Sequence, residues 1–321
     1  MKPKVLILHN AVLNGTPDEL DVLAQRDLVR AALRNMQFEV VCLALGKDIQ
    51  RDMARIEKEG PALVFNLVEA VWGKGELIYL APAILNALKI PFTGVPLEAM
   101  FITTNKVLAK KMIRENGLPT ADFFPVSKIE DLDPRKTYIA KPIWEEASVG
   151  ISEERVFRLS EIEKTEKVTK LPDNHYFTEE FIEGREFNVS LLADERGVEV
   201  LPAAEMIFSD YFSNRPKIVG YKAKWDAESE EYKQTNRAFG TLEREPALRE
   251  QIMDICRRAW QVFRLKGYAR VDLRVDGNNK AYILEINGNP CIAPDSGFVA
   301  AVRQAGYSIE TMISRIMKDV N

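Results

Sequence analysis

Short apolar runs alternate with segments of helical length along the first part of the chain, and this alternation limits the fold more than any other feature. The predicted strands are 5–8, 38–43, 62–66 and 90–93, and the predicted helices between them are 18–36, 48–58 and 76–88. Strands separated by helices of this length form a parallel sheet, because each helix returns the chain to the same end of the sheet. The sequence therefore predicts an α/β domain with a parallel sheet at its N-terminus.

Beyond Pro96 the pattern changes to the α+β type. A helix over 104–116 ends before Gly117 and Pro119, two residues that commonly stop a helix. The later predictions are strands at 137–140, 176–182, 187–193 and 198–205, helices at 160–170 and 246–265, a surface loop at 208–241, and a hairpin followed by a terminal helix. We predict three domains: a parallel α/β domain over 1–95, a small central α+β domain over 96–183, and a C-terminal domain built on an antiparallel sheet over 184–321.

Charge and composition exclude several classes of protein. With 44 basic and 48 acidic residues the net charge is -4, which argues against a protein that holds nucleic acid on a basic face. No apolar stretch reaches the length of a signal-peptide core or a membrane span, so we expect a cytoplasmic protein that does not enter the membrane. Cys42, Cys256 and Cys291 lie far apart, so no disulfide is expected. The two histidines, His9 and His175, are too few for a multi-histidine metal site.

Residues 268–287 have the pattern of a β-hairpin with one apolar and one polar face. Two alternating strands flank the turn Asp276-Gly-Asn-Asn, and we pair Val275 with Tyr282 to set the register. In that register the apolar side chains share one face: Val271, Leu273, Val275, Tyr282, Leu284 and Ile286. The polar side chains then share the other face, as expected for period-two alternation.

The polar face of this hairpin brings charged residues together. Asp272 is predicted opposite Glu285, and Arg270 opposite Asn287. Directly opposed carboxylates repel each other unless they are solvated or a cation lies between them. Two carboxylates and an amide oxygen suit Mg²⁺, and Arg270 beside them suits a planar anion or a developing oxyanion. An ordinary hairpin with one solvated face remains the alternative from the pattern alone.

Other segments suggest how a nucleotide is held. The chain has no Gly-x-x-x-x-Gly-Lys-Ser/Thr motif, which excludes a P-loop. Lys141 ends a predicted strand and precedes the loop Pro142-Ile-Trp-Glu-Glu-Ala-Ser-Val-Gly, which is suited to cover phosphates, and Lys106 begins a helix. The segment 176–186 is a candidate wall for adenine, with Glu186 reaching the ribose hydroxyls. Solvated surface lysines and an ordinary strand with a glycine turn are the alternatives.

Four motifs, taken in order, carry a resemblance to a known family. They are Phe181-Ile-Glu-Gly-Arg-Glu-Phe-Asn-Val-Ser, Tyr221-Lys-Ala-Lys-Trp, Gly267-Tyr-Ala-Arg-Val-Asp-Leu-Arg and Leu284-Glu-Ile-Asn-Gly-Asn-Pro. From about Lys141 to its end, the chain resembles the ATP-grasp superfamily and, within it, the D-alanine-D-alanine ligases. The resemblance implies an ATP-grasp fold with a parallel-sheet N-terminal domain, a small central α+β domain and a C-terminal domain on an antiparallel sheet.

The resemblance also implies roles for single residues. Those implied to hold ATP are Lys106 and Lys141 at the phosphates, Ser148 in the loop above them, Glu179, Glu180, Phe181 and Ile182 at the adenine, and Glu186 at the ribose. Those implied to hold two Mg²⁺ ions, or Mn²⁺, are Asp272, Glu285 and Asn287. Those implied at the reacting groups are Arg270 at the tetrahedral oxyanion with a backbone N–H near Cys291, Lys224 near the phosphates, and Ser296 at the carboxylate of the acceptor.

The segments that meet the amino-acid substrates in these ligases are changed here. Phe65-Asn-Leu-Val-Glu-Ala-Val-Trp-Gly stands where the family has a His-Gly pair, and Asn14-Gly-Thr-Pro-Asp-Glu-Leu-Asp replaces a glycine-rich loop. Cys291 replaces a glycine, and Gly297 stands where leucine is usual. In the loop over the phosphates, Glu145-Glu-Ala-Ser replaces Glu-Gly-Ser-Ser. We interpret this as a retained ATP half and an altered amino-acid half.

The prediction is an ATP-dependent, ADP-forming carboxylate-amine ligase that joins amino acids or dipeptides through an acyl phosphate. Its partners are then small-molecule carboxylates and amines, and a homodimer fits the resemblance. Two alternatives stay open: a D-alanine-D-alanine ligase proper, and an ATP-binding regulatory module without turnover.

Overall fold

Three β-sheets with helices packed against them make up the part of the chain that the structure describes. The structure is a computed structural model that describes residues 2–13, 15–144, 148 and 150–321. The first sheet contains β1 (Lys4–Asn10), β2 (Glu39–Leu45) and β3 (Leu63–Leu67), in the order β2-β1-β3 and with both pairs parallel. The helices α1 (Pro17–Asn35), α2 (Ile49–Glu59) and α3 (Leu80–Ala87) accompany it. The predicted parallel α/β architecture is therefore confirmed.

Both faces of this sheet are covered, which explains why β1 is a continuous apolar run. Val5 and Ile7 pack in one cluster with residues of α1, whereas Leu6 and Leu8 pack on the opposite face with α2 and α3. Successive side chains of a strand point to opposite faces, so a strand covered on both sides is apolar throughout. At the predicted strand 90–93, Phe92 forms only an isolated parallel bridge with Val64.

The second sheet is small and antiparallel. It contains β4 (Phe123–Pro125), β5 (Tyr138–Pro142), β6 (Val156–Phe157) and β7 (Tyr176–Glu180), in the order β4-β7-β5-β6. The helices α4 (Leu97–Thr104) and α5 (Lys106–Glu115) precede it, and α6 (Ile162–Thr169) lies between β6 and β7. The predicted helix 104–116 begins two residues late, because Asn105 breaks the helical run and its Oδ1 accepts the N–H of Leu108 at 2.9 Å as an N-cap.

The third sheet is the largest. Its strands are β8 (Arg185–Asp194), β9 (Gly197–Val200), β10 (Ala204–Phe208), β11 (Thr235–Phe239), β12 (Tyr268–Val275) and β13 (Ala281–Gly288), in the order β11-β10-β8-β12-β13 with β9 on β8. The remaining helices are α7 (Tyr221–Trp225), α8 (Glu230–Lys233), α9 (Pro246–Val262), α10 (Gly297–Gln304) and α11 (Ile309–Lys318). The antiparallel C-terminal sheet is as predicted.

Two predictions for this third sheet are wrong in detail. The predicted strand 198–205 is divided into β9 and β10 around Pro202, a residue that cannot donate to a sheet ladder. The predicted surface loop 208–241 contains α7, α8 and the edge strand β11. An edge strand keeps one side in solvent, so its polar sequence hides the alternation that would reveal it.

A β-bulge changes the register of the predicted hairpin. Arg270 pairs with Asn287 and Asp272 with Glu285, as predicted, but the register shifts after Asp272 so that Val275 pairs with Ala281 and not with Tyr282. Ala281 and Ile283 therefore join the buried core, while Leu284 moves to the polar face. A bulge of this kind redirects the side chains beyond it.

None of the described helices combines the length and the apolar composition that a crossing of the lipid bilayer requires.

The turn into β8 depends on Gly184. Its φ of +144° is disfavoured for residues with a Cβ, and a Cβ placed there would overlap the carbonyl oxygen of Val275. Gly184→Ala is therefore expected to lower the free energy of unfolding by about 2 kcal/mol or more, measured by urea denaturation. Gly277→Ala is the matched control, since a Cβ there meets open space, and it should change stability by less than about 0.5 kcal/mol. Equal effects of the two variants would contradict this account.

Candidate active site

A cavity of about 820 Å³ lies where residues of the three sheets face one another. Its walls include Asn10 of the first sheet, Lys141 of the second and Asp272 of the third. The predicted site residues found in its walls are Lys141, Ser148, Glu179, Glu180, Phe181, Ile182, Glu186, Lys224, Arg270, Asp272, Glu285, Asn287, Cys291 and Ser296. Lys106 reaches the site from α5 through its ion pair with Glu285 at 3.2 Å. A cavity of this volume is large enough for a drug-sized ligand.

The polar face of the β12–β13 hairpin forms the floor of the cavity. Nε and Nη2 of Arg270 donate to the two carboxylate oxygens of Asp272, each at 2.7 Å. Nδ2 of Asn287 lies 3.2 Å from Asp272 Oδ2 and 3.4 Å from Glu285 Oε1. Asn188 of β8 donates to Asp272 Oδ1 at 2.9 Å, a contact that the sequence did not reveal. The two carboxylates are therefore held side by side, as the hairpin pattern predicted.

The electrostatics of this floor differ between the two acids. Burial, aided by the negative charge of Glu285, raises the pKa of Asp272 against the opposing effect of Arg270. Burial would also raise the pKa of Glu285, but Lys106, Arg270 and Lys141 hold it below its usual range. The pKa values of the two neighbouring carboxyl groups are thus shifted in opposite directions, that of Asp272 upward and that of Glu285 downward.

These donors fit a hard divalent cation. Asp272 and Glu285 supply carboxylate oxygens, and rotation of the Asn287 amide by 180° would turn its oxygen toward them in place of Nδ2. Two carboxylates with one amide oxygen leave coordination positions for water and phosphate, as Mg²⁺ requires. Among the described residues no group of three or more His, Cys, Asp or Glu side chains forms a denser metal site.

A buried ion-pair cluster positions the predicted phosphate lysine. Glu179 Oε1 lies 2.5 Å from Lys141 Nζ, and Glu179 Oε2 lies 2.6 Å from Lys110 Nζ. Lys110 also donates to Thr120 Oγ1 at 2.9 Å. Burial favours the protonated acid, but Lys110 and Lys141 outweigh it and lower the pKa of Glu179. The side chain of Glu179 is therefore turned to lysines, and Lys110 is a member of the cluster that sequence reasoning missed.

The proposed adenine wall is the strand end after β7. Phe181 and Ile182 face the cavity, and Glu180 is ion-paired with Lys136 at 2.7 Å. The guanidinium of Arg274 lies 5.2 Å from the centre of the Phe181 ring and donates to the Ile182 carbonyl oxygen at 3.3 Å. These contacts fix an apolar surface at this end of the cavity.

Glu186, the predicted ribose ligand, is buried and already bound by protein. Arg274 donates to Glu186 Oε2 from Nε at 3.1 Å and lies within 2.9 Å through Nη2. Burial raises the pKa of Glu186, while Arg274 opposes that rise. Arg274, which the sequence analysis did not single out, also donates to the carbonyl oxygen of Lys217.

The segment predicted to cover the phosphates is only partly described. Residues 145–147 and 149 lie outside the described residues, as does Asn14 of the changed N-terminal segment. Ser148 donates its hydroxyl to the carbonyl oxygen of Val219 at 2.9 Å, which connects this loop to the segment before α7. Lys224 in α7 faces the cavity, with Nζ 5.2 Å from the Trp225 ring.

The opposite end of the cavity is acidic. Cys291 donates its thiol hydrogen to Asp21 Oδ2 at 2.8 Å, and Gln25 donates to Glu69 Oε1 at 2.9 Å. Burial, together with Glu69 and Asp21, raises the pKa of Cys291 well above its usual range, so the thiol stays protonated. Burial also raises the pKa of Asp21. No motif marked Asp21, Gln25 or Glu69 as single site residues, although Asp21 and Glu69 lie in the two N-terminal segments predicted to be changed.

Ser296 lies at the beginning of α10 and lines the same part of the cavity. Its Oγ accepts the N–H of Val299 at 3.3 Å, so the hydroxyl is the N-cap of that helix. The N–H of Ala300 is bonded to the carbonyl oxygen of Ser296 at 3.0 Å, which completes the first turn of the helix.

Comparison with known proteins gives a consistent result. Residues 112–318 match the family model described as the D-ala D-ala ligase C-terminus. A D-alanine-D-alanine ligase of Carboxydothermus hydrogenoformans is 27% identical over 320 residues, covering 95% of this chain and 96% of the relative. The uncharacterised protein y4sG of Sinorhizobium fredii is 29% identical over 300 residues, covering 91% of this chain and 85% of the relative.

Solved structures show the same fold. The D-alanine-D-alanine ligase of Bacillus anthracis, complexed with ATP, superposes with a TM-score of 0.74 at 19% identity, covering 99% of this chain and 97% of that one. The D-alanyl-alanine synthetase A of Vibrio cholerae gives a TM-score of 0.75 at 15% identity, covering 98% and 97%. These likenesses confirm the predicted ATP-grasp fold.

Lys110 allows a direct test of the buried cluster. Lys110→Met removes a cation whose side chain is 1% exposed and leaves Glu179 with Lys141 as its remaining cationic partner, so we expect the free energy of unfolding to fall by about 3 kcal/mol. Lys111→Met, at the exposed next position of α5, is the control and should cost less than about 0.5 kcal/mol. Urea denaturation measures both. Equal free energies of unfolding for the two variants would contradict a structural role of Lys110.

Proposed function

This chain belongs to the D-alanine-D-alanine ligase family, and we propose that it uses ATP to join the carboxylate of one amino acid or dipeptide to the amine of another. The family makes it an ATP-dependent, ADP-forming ligase of the ATP-grasp type, with ATP and Mg²⁺ as its requirements. The convergence of Arg270, Asp272, Glu285 and Asn287 on one cavity floor is the observation that supports this proposal most strongly.

The chemistry follows from the fact that the oxide of a carboxylate is a poor leaving group. An amine cannot displace oxide, so the carboxylate substrate first takes the γ-phosphoryl group of ATP, and the amine then displaces phosphate from the acyl phosphate. The products are an amide, ADP and phosphate, and the amine gives up its proton. Asp272, Glu285 and Asn287 would hold a divalent cation, whose positive charge would offset the charge that develops on the phosphate oxygens.

In this mechanism the residues of the chain position the reacting groups and neutralise their negative charge. Glu179 holds Lys141, so the lysine does not have to be ordered when phosphate arrives. Arg270 is fixed by its two hydrogen bonds to Asp272, and its cationic guanidinium is suited to stabilise the oxyanion during amide formation. Lys106, Ser148, Lys224 and the strand end around Phe181 keep their predicted roles toward ATP in this proposal.

Substrates other than D-alanine alone are favoured by the changed end of the cavity. Asp21 and Glu69 place negative charge beside Cys291, at the position where the family has a glycine, so this end suits an ammonium group of an amino acid. D-alanine-D-alanine ligation proper is the second candidate, because the relatives with that name match the chain along nearly its whole length. We propose that the enzyme acts in the cytoplasm. The homodimer and the boundaries of the three predicted domains stay predictions.

A substrate screen tests the proposal. Release of ADP and phosphate is measured over pairs of L- and D-amino acids and dipeptides with ATP and Mg²⁺. At least one mixed pair should give substrate-dependent ADP at a higher kcat/KM than D-alanine alone, and D-alanine as the best single substrate would favour the second candidate. Calorimetric titration with Mg-ATP accompanies the screen, because binding without turnover of any pair would indicate a regulatory module instead of a ligase.

Glu285 provides the sharpest variant. Glu285→Gln removes the ionised carboxylate of the floor, and kcat is expected to fall about 100-fold or more, because stabilisation by a bound metal is worth several kcal/mol. The fold should be retained, which circular dichroism checks. Glu166→Gln on the exposed surface of α6 should keep normal kcat. If Glu285→Gln turns over substrate at the rate of that control, the proposal that Glu285 binds the metal ion is contradicted.

A further inference from the structure

Asn10 is a buried cavity residue for which the proposed mechanism gives no role. It is the last residue of β1, it lines the cavity, and it is only 6% exposed. Its Oδ1 accepts the backbone N–H of Glu69 at 3.2 Å. Because an N–H is accepted by the oxygen of an amide and not by its nitrogen, this contact fixes the orientation of the side chain. The NH2 group of Asn10 is therefore turned away from that N–H, and no described residue accepts a hydrogen bond from it.

Gln25 of α1 shows the contrasting case of an amide whose groups are all used. It is 1% exposed, and its Oε1 accepts the N–H of Ile292 at 3.0 Å. Its Nε2 donates to Asp21 Oδ2 at 3.3 Å and to Glu69 Oε1 at 2.9 Å. Most buried polar side chains have their hydrogen bonds satisfied in this way. The NH2 group of Asn10 is an exception, and only water or a ligand in the cavity can satisfy it.

This buried donor gives the cavity a way to distinguish substrates. A substrate that fills this end of the cavity displaces the water there. If the part of the substrate next to Asn10 is apolar, the NH2 group is left without an acceptor and the full cost of its desolvation remains. If that part has an oxygen, the hydrogen bond is restored. A site built around such a donor rejects the analogue that lacks the acceptor.

The neighbouring acids indicate which of the two substrates lies at this end. Asp21 and Glu69 are suited to hold an ammonium group, and nearby carboxylates favour the charged form of an amine. An ammonium group has no lone pair, so it cannot attack the acyl phosphate. The ammonium group held here therefore belongs to the substrate that reacts through its carboxylate. The same negative charge disfavours a second carboxylate beside Asn10, so the acceptor that suits Asn10 is a neutral oxygen.

We propose that Asn10 donates a hydrogen bond to a neutral oxygen on the side chain of the carboxylate substrate. The enzyme then prefers an amino acid whose side chain has a hydroxyl or carboxamide group to one whose side chain is apolar. The inference rests on the proposed ligase function and adds to it the class of side chain that the enzyme selects. The reacting carboxylate of the same substrate lies elsewhere in the proposed mechanism, at the floor that contains Arg270 and Asp272.

Pairs of amino acids that differ in one oxygen atom test this selection. Serine is compared with 2-aminobutyrate, and O-methylserine with norvaline, using both enantiomers of each as the carboxylate substrate with one fixed amine. The member with the oxygen should have a kcat/KM about 10-fold higher, as expected for one hydrogen bond to a buried donor. O-methylserine is the stricter probe, because its ether oxygen accepts a hydrogen bond and donates none. Equal kcat/KM values within both pairs would overturn the proposal.

Asn10→Asp is the variant that isolates the donor. Aspartate keeps an oxygen for the N–H of Glu69 and replaces the NH2 group by a second oxygen of similar size. The preference for O-methylserine over norvaline should disappear. The added negative charge acts on the ammonium group of both amino acids, so its effect cancels in the ratio of their kcat/KM values.

Two further variants complete this test. Asn10→Ala should abolish the same preference without a change of charge. Asn86→Ala, at an exposed position of α3, is the control and should keep the preference of the unmodified enzyme. If both Asn10 variants keep the preference, including the case in which kcat/KM falls equally for all four amino acids, the role of Asn10 toward the side chain is overturned.

A binding measurement separates failure of this inference from failure of the ligase proposal. Thermal shifts with the four amino acids are measured in the presence of Mg-ADP, where no turnover is needed. Larger shifts with serine and O-methylserine that depend on Asn10, without ADP formation from any pair, would support the site and overturn the ligase. Ligation without a preference within the pairs would overturn the role of Asn10 and leave the ligase intact. Absence of both binding and turnover would overturn both proposals.

Discussion

Three carboxylates at the centre of the molecule each need a cation close by: Glu179 and Asp272, which are buried, and Glu285, which is partly exposed. Glu285 is ion-paired with Lys106 of α5. Glu179 is ion-paired with Lys110 of the same helix and with Lys141 of β5. Asp272 is ion-paired with Arg270 on its own strand. A buried charge without a partner costs several kcal/mol, so these pairs fix α5 against both antiparallel sheets. The same pairs orient the groups that face the cavity, and stability and site geometry depend on one network.

This arrangement explains how the cavity keeps its cations in place before any ligand arrives. Lys141 and Arg270 are ordered by Glu179 and Asp272, so little conformational freedom is lost when phosphate or a developing oxyanion takes its position. Rigid β-strands carry both groups, which is more precise than placing them on loops.

Structural features that depend on neighbouring residues could be predicted from the sequence. Features that depend on contacts between distant segments could not. The parallel sheet and the pairing of Asp272 with Glu285 follow from local alternation, and both are confirmed. The bulge after Asp272 could not be predicted, because Ile283 donates its N–H to the carbonyl oxygen of Pro119 and accepts from Thr120, more than a hundred residues away. Lys110 was missed for a similar reason: within its helix it resembles its exposed neighbour Lys111, and only contact with Glu179 distinguishes the two.

Two of the segments predicted to be changed at the amino-acid substrates meet in the cavity, which supports the proposal that they form one substrate site. Cys291, which takes the place of a glycine, bonds to Asp21 of the changed N-terminal segment. Asp21 and Glu69 add negative charge beside Cys291, so this part of the cavity is complementary to the ammonium group of a substrate in the proposed reaction. The floor that supports the proposed ATP chemistry lines the same cavity.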